Sequence, residues 1–93
     1  MKTKVEIRNN HQELDVHVKE LVTNFADGLK KENKYEFAFI EIHNENEYGN
    51  DLSGEAIFEI IEKNFKKEHE NDGFEIYHMV KINEIVIYIG VKE

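Results

Sequence analysis

The chain contains no cysteine. This absence excludes a disulfide framework, a thiolate metal site and a cysteine nucleophile. Proline is absent as well, and no Gly/Ser-rich linker, internal repeat or low-complexity tract interrupts the 93 residues. A chain of this length falls within the usual range of one domain. We therefore expect residues 1–93 to form a single domain.

Long hydrophobic runs are missing too. No stretch approaches the roughly 18 apolar residues of a membrane span, and the amino-terminal MKTKVEIRNN lacks the apolar segment of a signal peptide. We therefore expect a soluble, cytoplasmic protein. Six Phe and four Tyr within a 40% hydrophobic content supply enough apolar side chains for a folded core.

Positive charge is scarce in this chain. Twelve Lys and Arg residues stand against twenty Asp and Glu, so the formal net charge is −8. Nucleic-acid phosphates and anionic lipids attract basic faces, and we expect neither as a direct partner. A negative surface can instead steer a protein toward a basic site on another protein, although net charge also serves solubility.

Hydrophobic periodicity predicts the secondary structure of the amino-terminal half. KVEIR, residues 4–8, alternates apolar and charged residues and is sparsely apolar, which is typical of an edge strand. A helical stripe predicts a helix over about 12–31, capped by Asn10 or Asp15. YEFAFIEIH, residues 35–43, is apolar on both faces near its middle and predicts a central strand.

The carboxyl-terminal half predicts a helix and a hairpin. The stripe Ile57, Ile60, Ile61 and Phe65 predicts a second helix, capped by Asp51 or Ser53 and ending before Asn71-Asp72-Gly73. Residues 74–80 and 85–91 predict two strands joined by a turn over 81–84, with the last strand buried on both sides. Deleting it should therefore unfold the domain.

The order of these elements predicts an α+β fold: a two-layer sandwich in which two helices cover a mixed four-stranded sheet of order β-α-β-α-β-β. The first two strands should be parallel, with a right-handed crossover, if they are neighbours. Helices on one side would leave an apolar face open, and its candidate residues for homodimerisation or partner binding are Tyr77, Met79, Val86 and Tyr88. Helices on opposite faces would instead cover both sides of the sheet.

The most specific local motif in the sequence is that of a calcium-binding loop. NENEYGNDLSGE, residues 44–55, has the Gly at position six and the Glu at position twelve of an EF-hand loop. It departs from that loop with Asn44 first, Tyr48 fifth and Asp51 eighth, and a strand precedes it. The sequence favours an acidic turn leading to a helix cap and leaves cation binding open.

Other chemistry finds little support in the residues. No two of the five histidines, His11, His17, His43, His69 and His78, have the i, i+4 spacing of a helical metal site. His43 and His78 could meet only if their strands were adjacent and in register. The available hydroxyl nucleophiles are Ser53, Thr3 and Thr23, of which Ser53 is placed to cap a helix. We therefore expect no metal, no cofactor and no catalytic residue.

The carboxyl-terminal part of the chain carries a pattern of matched positions. In residues 51–93 a helix is followed by His78 and Val80 on a strand, by Glu84 before an apolar strand, and by Gly90-Val91 at its end. This segment resembles the middle of the large subunit of molybdopterin synthase, and residues 14–22 and 37–43 follow the order of that family's first helix and next strand. The resemblance implies a dimerising fold that contacts a small sulfur-carrier protein.

The chain also departs from that family. Met79 stands where the family has Arg, and Ile40 and His43 replace its earlier Gly and Arg. The family's catalytic lysines fall beyond residue 93, so no catalytic residue carries over. The resemblance therefore implies a minimal or degenerate relative, with Lys34, Lys81 or Lys92 beside a basic pocket for the carrier's tail.

Two functional hypotheses follow from the sequence. The first is a small acidic protein-binding module, an inhibitor, immunity or accessory factor, which engages a basic protein site through Glu41, Glu45, Glu47 and Asp51 around the central loop. The alternative is the relative of the molybdopterin synthase large subunit. The first predicts a continuous acidic face, whereas the alternative predicts lysines gathered beside a cleft.

Overall fold

The computed structural model describes residues 2–10 and 12–93. Its elements are β1 (Lys4–Asn9), α1 (Val16–Glu32), β2 (Phe37–Asn44), the short 3-10 helix η1 (Glu45–Glu47), α2 (Gly54–Glu68), β3 (Phe74–Ile82) and β4 (Ile85–Lys92). The predicted α+β class and the predicted order of strands and helices are confirmed. Within the described residues, no helix has the length and apolar character needed to cross a membrane.

The strands form one mixed sheet in the order β1-β2-β4-β3. β1 pairs in parallel with β2, while β4 lies antiparallel to both β2 and β3. The strands β1, β2 and β3 therefore all run in one direction. The predicted edge position of residues 4–8 and the predicted central position of residues 35–43 are both confirmed. The prediction that residues 85–91 form a strand buried on both sides is also confirmed, because β4 lies inside the sheet.

The helices cover opposite faces of this sheet. On one face, α1 buries Val22 and Leu29 against Ile40 of β2 and Ile89 of β4. On the other face, α2 packs Ile57 and Ile61 against Val86, with Met79 and Tyr88 beside them. The sandwich thus has three layers instead of the predicted two, and it follows the placement of helices on opposite faces that the sequence left open.

The two crossover connections differ in hand. β1 to β2 and β2 to β3 step in the same direction across the sheet, and all three strands are parallel. Because α1 and α2 lie on opposite faces, one of these connections is right-handed and the other is left-handed. About 98% of such connections in proteins are right-handed. The second crossover also skips one strand position, because β4 lies between β2 and β3 in the sheet.

Capping side chains decide where both helices begin. The Oδ1 atom of Asp15 accepts from the Val18 amide at 2.9 Å, so α1 begins at Val16 and not near residue 12. Just before it, the side chain of Asn9 accepts from the Gln12 amide and donates to the Gln12 carbonyl, which ties Gln12 to the end of β1. Ser53 Oγ caps α2 by accepting from the Ala56 amide at 3.1 Å.

The carboxyl-terminal hairpin is tighter than predicted. Ile82 pairs with Ile85, so the turn is the two residues Asn83 and Glu84, with Asn83 in the left-handed region at φ 54°. Lys81 and Ile82 belong to β3 and not to the turn. A register shift between Ile76 and His78 marks a β-bulge that changes which face the later side chains of β3 occupy.

Gly90 makes close packing possible on the α2 face of the sheet. It pairs with Phe39 across the β2–β4 ladder, and the Phe39 ring stacks on Phe65 of α2 with centroids 5.9 Å apart. A β-carbon on Gly90 would lie 2.5 Å from Phe39 Cζ and 2.8 Å from Phe65 Cζ. The absent side chain therefore leaves the space in which α2 approaches the sheet.

Candidate functional site

Three connections meet at one end of the sheet, which we call the loop end. It comprises the segment between β1 and α1, the segment between β2 and α2, and the turn between β3 and β4. The described residues of these connections are 10, 12–15, 45–53 and 83–84. They meet because β1, β2 and β3 are parallel and finish at the same edge. In open sheets with parallel strands, ligands commonly bind at this edge.

Hydrogen bonds and an ion pair tie the three connections together. Asn10 Nδ2 donates to Glu47 Oε1 at 2.7 Å, which joins the first connection to the second. The Glu45 amide donates to the Glu84 carbonyl at 2.8 Å, and Lys81 Nζ lies 2.9 Å from Glu45 Oε2. The loop end is therefore one linked surface.

The loop end is strongly acidic. Its connections contain no Lys or Arg, and their carboxylates are Glu13, Asp15, Glu45, Glu47, Asp51 and Glu84. Both helices begin here, and the partial positive charge of their amino termini favours nearby carboxylates. Lysines gather at the other end of the molecule, in the last turns of the two helices and at Lys2, Lys4, Lys34 and Lys92.

Of the four predicted acidic residues, three are paired with basic side chains and one is not. Glu41 lies on the sheet, where its side chain is 19% exposed and contacts Arg8 and His43. Glu45 and Glu47 are held by Lys81 and His43, respectively. Asp51 is exposed and forms none of the ion pairs seen among residues 2–10 and 12–93.

Sequence reasoning missed other exposed carboxylates of this end. Glu13, Glu55 and Glu84 are exposed and take part in none of the ion pairs of the described chain. They are far apart in sequence, and the parallel direction of β1, β2 and β3 brings their segments together. The available signal was that each one follows a predicted strand or starts a predicted helix.

A charged network centred on His43 underlies the loop end. Its Nε2 atom lies 3.0 Å from Glu41 Oε1, and its Nδ1 atom lies 3.0 Å from Glu47 Oε2. The imidazole ring stacks on Tyr88 with an interplanar angle of 3°. Arg8 continues the network, because its Nη1 atom is 3.3 Å from Glu41 Oε2 and its guanidinium lies over the Phe39 ring.

The network shifts the pKa values of its members. The hydrogen bond with Glu41, followed by attraction to Glu47, raises the pKa of His43 despite partial burial of the ring. The hydrogen bond with His43 lowers the pKa of Glu41, and Arg8 acts in the same direction. Burial raises the pKa of Tyr48 to about 12, and burial likewise raises the pKa of Tyr88. At neutral pH both phenols therefore remain protonated.

The loop of residues 44–55 is folded around itself and not around a central ion position. Asn44 and Glu47 form a capping box, in which Glu47 accepts from the Asn44 amide while it also contacts His43. A cavity of about 340 Å³ lies beside this loop, lined in part by Glu45, Asp51 and Leu52. Nowhere in residues 2–10 and 12–93 do three His, Asp or Glu side chains converge as a metal site would require.

The sequence left open a meeting of His43 and His78, and the structure does not bring these two residues together. His43 and His78 lie on strands that are separated by β4, so they are not neighbours. His78 instead contacts Phe25 of α1 at a ring-centroid distance of 5.4 Å. His11, which the sequence analysis also considered, lies outside the described residues.

The four residues of the predicted dimer face do not share one open surface. Val86 is fully buried, and Met79 and Tyr88 pack with it beneath α2. Tyr77 lies on the other face, where its ring contacts Tyr35 and its hydroxyl donates to Glu32 at 3.4 Å. The β-bulge separates Tyr77 from the other three residues, and α2 covers the sheet face on which those three lie.

The lysines named by the alternative hypothesis are also divided. Lys34 and Lys92 line one cleft of about 390 Å³, together with two tyrosines and with the carboxylates of Glu75 and Glu93. Lys81 lies at the opposite end of β3, where it contacts Glu45. The cleft is therefore flanked by two of the three lysines.

Comparisons of the chain with protein-family models, with curated proteins and with solved structures find no match.

Proposed function

We propose that this protein is a small acidic binding module whose loop end engages a basic surface on another protein. The observation that carries the proposal is the concentration of carboxylates in the three connections of the loop end, which hold no Lys or Arg. Surfaces of one charge sign steer complementary partners and accelerate their association. An inhibitor, immunity or accessory factor would act in this way without chemistry of its own.

The exposed carboxylates are the proposed contact residues. Glu45 and Glu47 are occupied by Lys81 and His43, so they shape the surface. Glu13, Asp51 and Glu84 are exposed and are available to meet cationic side chains of a partner. Reversing Glu45 and Glu47 would disturb the fold of the loop as well as its charge, so those positions would give an ambiguous test.

The experiment compares two double variants with equal net charge. Glu13→Lys with Glu84→Lys alters the loop end, whereas Glu70→Lys with Glu93→Lys makes the same charge change at exposed positions of the other end. Tagged wild type and both variants would be used to capture proteins from lysate, and the association rate of each captured protein would be measured at low and high salt. We expect the loop-end variant to associate about tenfold or more slowly with the true partner at low salt.

The matched control decides how this result is interpreted. The variant of the other end should keep the wild-type rate within a small factor, since its charges do not face the partner. Equal slowing by both variants would indicate that the association rate depends on the net charge of the protein and not on the loop end. An unchanged rate for the loop-end variant would contradict the proposed contact surface.

The alternative proposal, a minimal relative of the molybdopterin synthase large subunit, is favoured by one observation. Lys34 and Lys92 flank a cleft that also contains aromatic side chains, and their ammonium groups could meet the anionic tail of a small carrier protein. Glu75 and Glu93 line the same cleft and oppose such a tail. Lys34→Glu with Lys92→Glu should then abolish capture of the carrier. This variant should leave an interaction of the loop end intact, so the two proposals give opposite outcomes.

A further inference from the structure

His43 occupies an arrangement that one protonation state satisfies best. Each of its ring nitrogens lies 3.0 Å from a carboxylate oxygen, Glu41 Oε1 on one side and Glu47 Oε2 on the other. Carboxylates can only accept, and a neutral imidazole has one N–H to donate. Both contacts are hydrogen bonds together only when the ring carries two protons and a positive charge.

We propose that His43 is a proton-operated clamp that holds the η1 turn against the sheet, and that loss of its proton releases Glu47 and loosens the loop end. The clamp joins two levels of the structure, because Glu41 and His43 belong to β2 while Glu47 belongs to η1. Glu47 in turn carries the contact to Asn10 of the first connection. Release of Glu47 would therefore also loosen the contact between the first and second connections.

Glu47 is the carboxylate that leaves when the proton is lost. Glu41 is 19% exposed and has a second cationic partner in Arg8, which holds it in place. Glu47 is 36% exposed, and its remaining partners are the Asn44 amide and the Asn10 side chain. A neutral ring keeps its single N–H toward Glu41, and its unprotonated nitrogen then faces Glu47 and repels it.

The surroundings of the ring belong to several elements. Within residues 2–10 and 12–93, the charged or titratable groups around the clamp are Arg8 of β1, Glu41 of β2, Glu47 of η1, Tyr48 of the following loop, Tyr88 of β4 and Glu68 of α2, which acts through its field on Tyr88. The carboxylates and Tyr88 stabilise or shield the charged ring, while Arg8 opposes it through space. Because two carboxylates contact the ring directly, they outweigh the single guanidinium.

The sign of the pH dependence follows from the raised pKa of His43. The group titrates at 6.5 when unperturbed, so its stabilising contribution is fully present below that pH. The contribution is lost as the pH rises through the higher pKa of the folded state. Glu41 acts in the opposite sense, because its pKa is lowered and its contribution is lost on acidification below its ordinary value of 4.5. The clamp is thus closed below pH 6.5 and opens as the pH rises through the raised pKa of His43.

The consequence for binding rests on the proposed function. Opening removes one positive charge from beneath the loop end and frees the carboxylate of Glu47, so a basic partner would meet a more negative and more mobile surface. The clamp itself is tested in the free protein, with no partner present. Failure of either idea can therefore be recognised separately.

The test is an NMR titration of the full chain from about pH 5 to 9. We expect the ring of His43 to titrate above 6.5 and the Asn46 amide and the Glu47 carboxyl carbon to shift with the same midpoint. In Glu47→Gln, the midpoint of His43 should move down, and the Asn46 amide should stop following it.

Two results would overturn the clamp. One is a His43 ring that is already neutral at pH 5.5. The other is a turn whose Asn46 and Glu47 signals stay constant while His43 titrates. A His43→Gln variant gives a further check, because an amide side chain offers N–H donors at every pH, and its turn should show no midpoint in this range.

Discussion

Replacing Gly90 with alanine should destabilise this protein, although a β-carbon at a sheet position is normally favourable. The new atom would lie 2.5 Å from Phe39 Cζ, 2.8 Å from Phe39 Cε1 and 2.8 Å from Phe65 Cζ. Contacts between carbon atoms are optimal at about 3.5–4.0 Å, so both rings must move by roughly an ångström. Phe39 is 1% exposed and Phe65 is 5% exposed, so neither ring can turn out into solvent.

The magnitude follows from two opposing contributions. Overpacking a well-filled core costs about 1–3 kcal/mol. Removing the backbone entropy of a glycine in a strand returns about 0.5–1 kcal/mol. The expected net loss in the free energy of unfolding is therefore about 1–2 kcal/mol, which corresponds to a fall in Tm of roughly 4–16 °C for a domain of this size.

Gly28→Ala is the matched control for this substitution. Gly28 lies inside α1, and a β-carbon built there meets nothing within 4 Å. The same chemical change should then stabilise the protein by up to about 1 kcal/mol, because alanine is the better helix former. The two variants should move in opposite directions from wild type.

Urea unfolding followed by far-UV circular dichroism measures both variants, since the chain has no tryptophan for fluorescence. The midpoint should decrease for Gly90→Ala and increase for Gly28→Ala at a constant slope. If Gly90→Ala were as stable as wild type, the packing of Phe39 and Phe65 described above would be wrong. A fall for both variants would instead indicate a general intolerance of side chains at these glycines.

Two further predictions concern the helix caps and the central strand. Ser53→Ala should lower the free energy of unfolding in urea by about 1 kcal/mol, because the Ala56 amide loses its acceptor. Ser53→Asp should retain most of the stability, since aspartate also caps helices. An equal loss in both variants would argue against the cap. Ile87→Ala should cost about 2–5 kcal/mol by thermal unfolding, because Ile87 is 1% exposed between β2 and β3. The same change at Ile7, which is 50% exposed, should cost much less, and similar losses at both positions would contradict the assigned core.

Local sequence patterns predicted most of the elements because burial repeats at the period of each structure. The alternation in residues 4–8 indicated an edge strand, and the two-sided apolar character of residues 35–43 and 85–91 indicated interior strands. The boundaries were less predictable. The first helix begins at Val16 because Asp15 caps it, while the side chain of Asn9 ties Gln12 to the end of β1; these polar side chains could equally well have bonded elsewhere.

The candidate site was predicted only in outline. The acidic character of the second connection was visible in Glu45, Glu47 and Asp51. The pairing of Glu47 with His43 was not visible, since it depends on η1 folding back over β2. The four residues of the suggested dimer face do not lie on one surface, because the β-bulge places Tyr77 on the face opposite Met79.

The sequence by itself determined the α+β class, the order of the elements and the excess negative charge, because these depend on composition and on spacing along the chain. Only the tertiary structure decided that α1 and α2 cover opposite faces, that Gly90 makes room for Phe39 and Phe65, and that three distant connections form one acidic end. These features depend on strand order and crossover direction. Alternative orders would bury much the same apolar stripes, so the hydrophobic pattern alone does not choose between them.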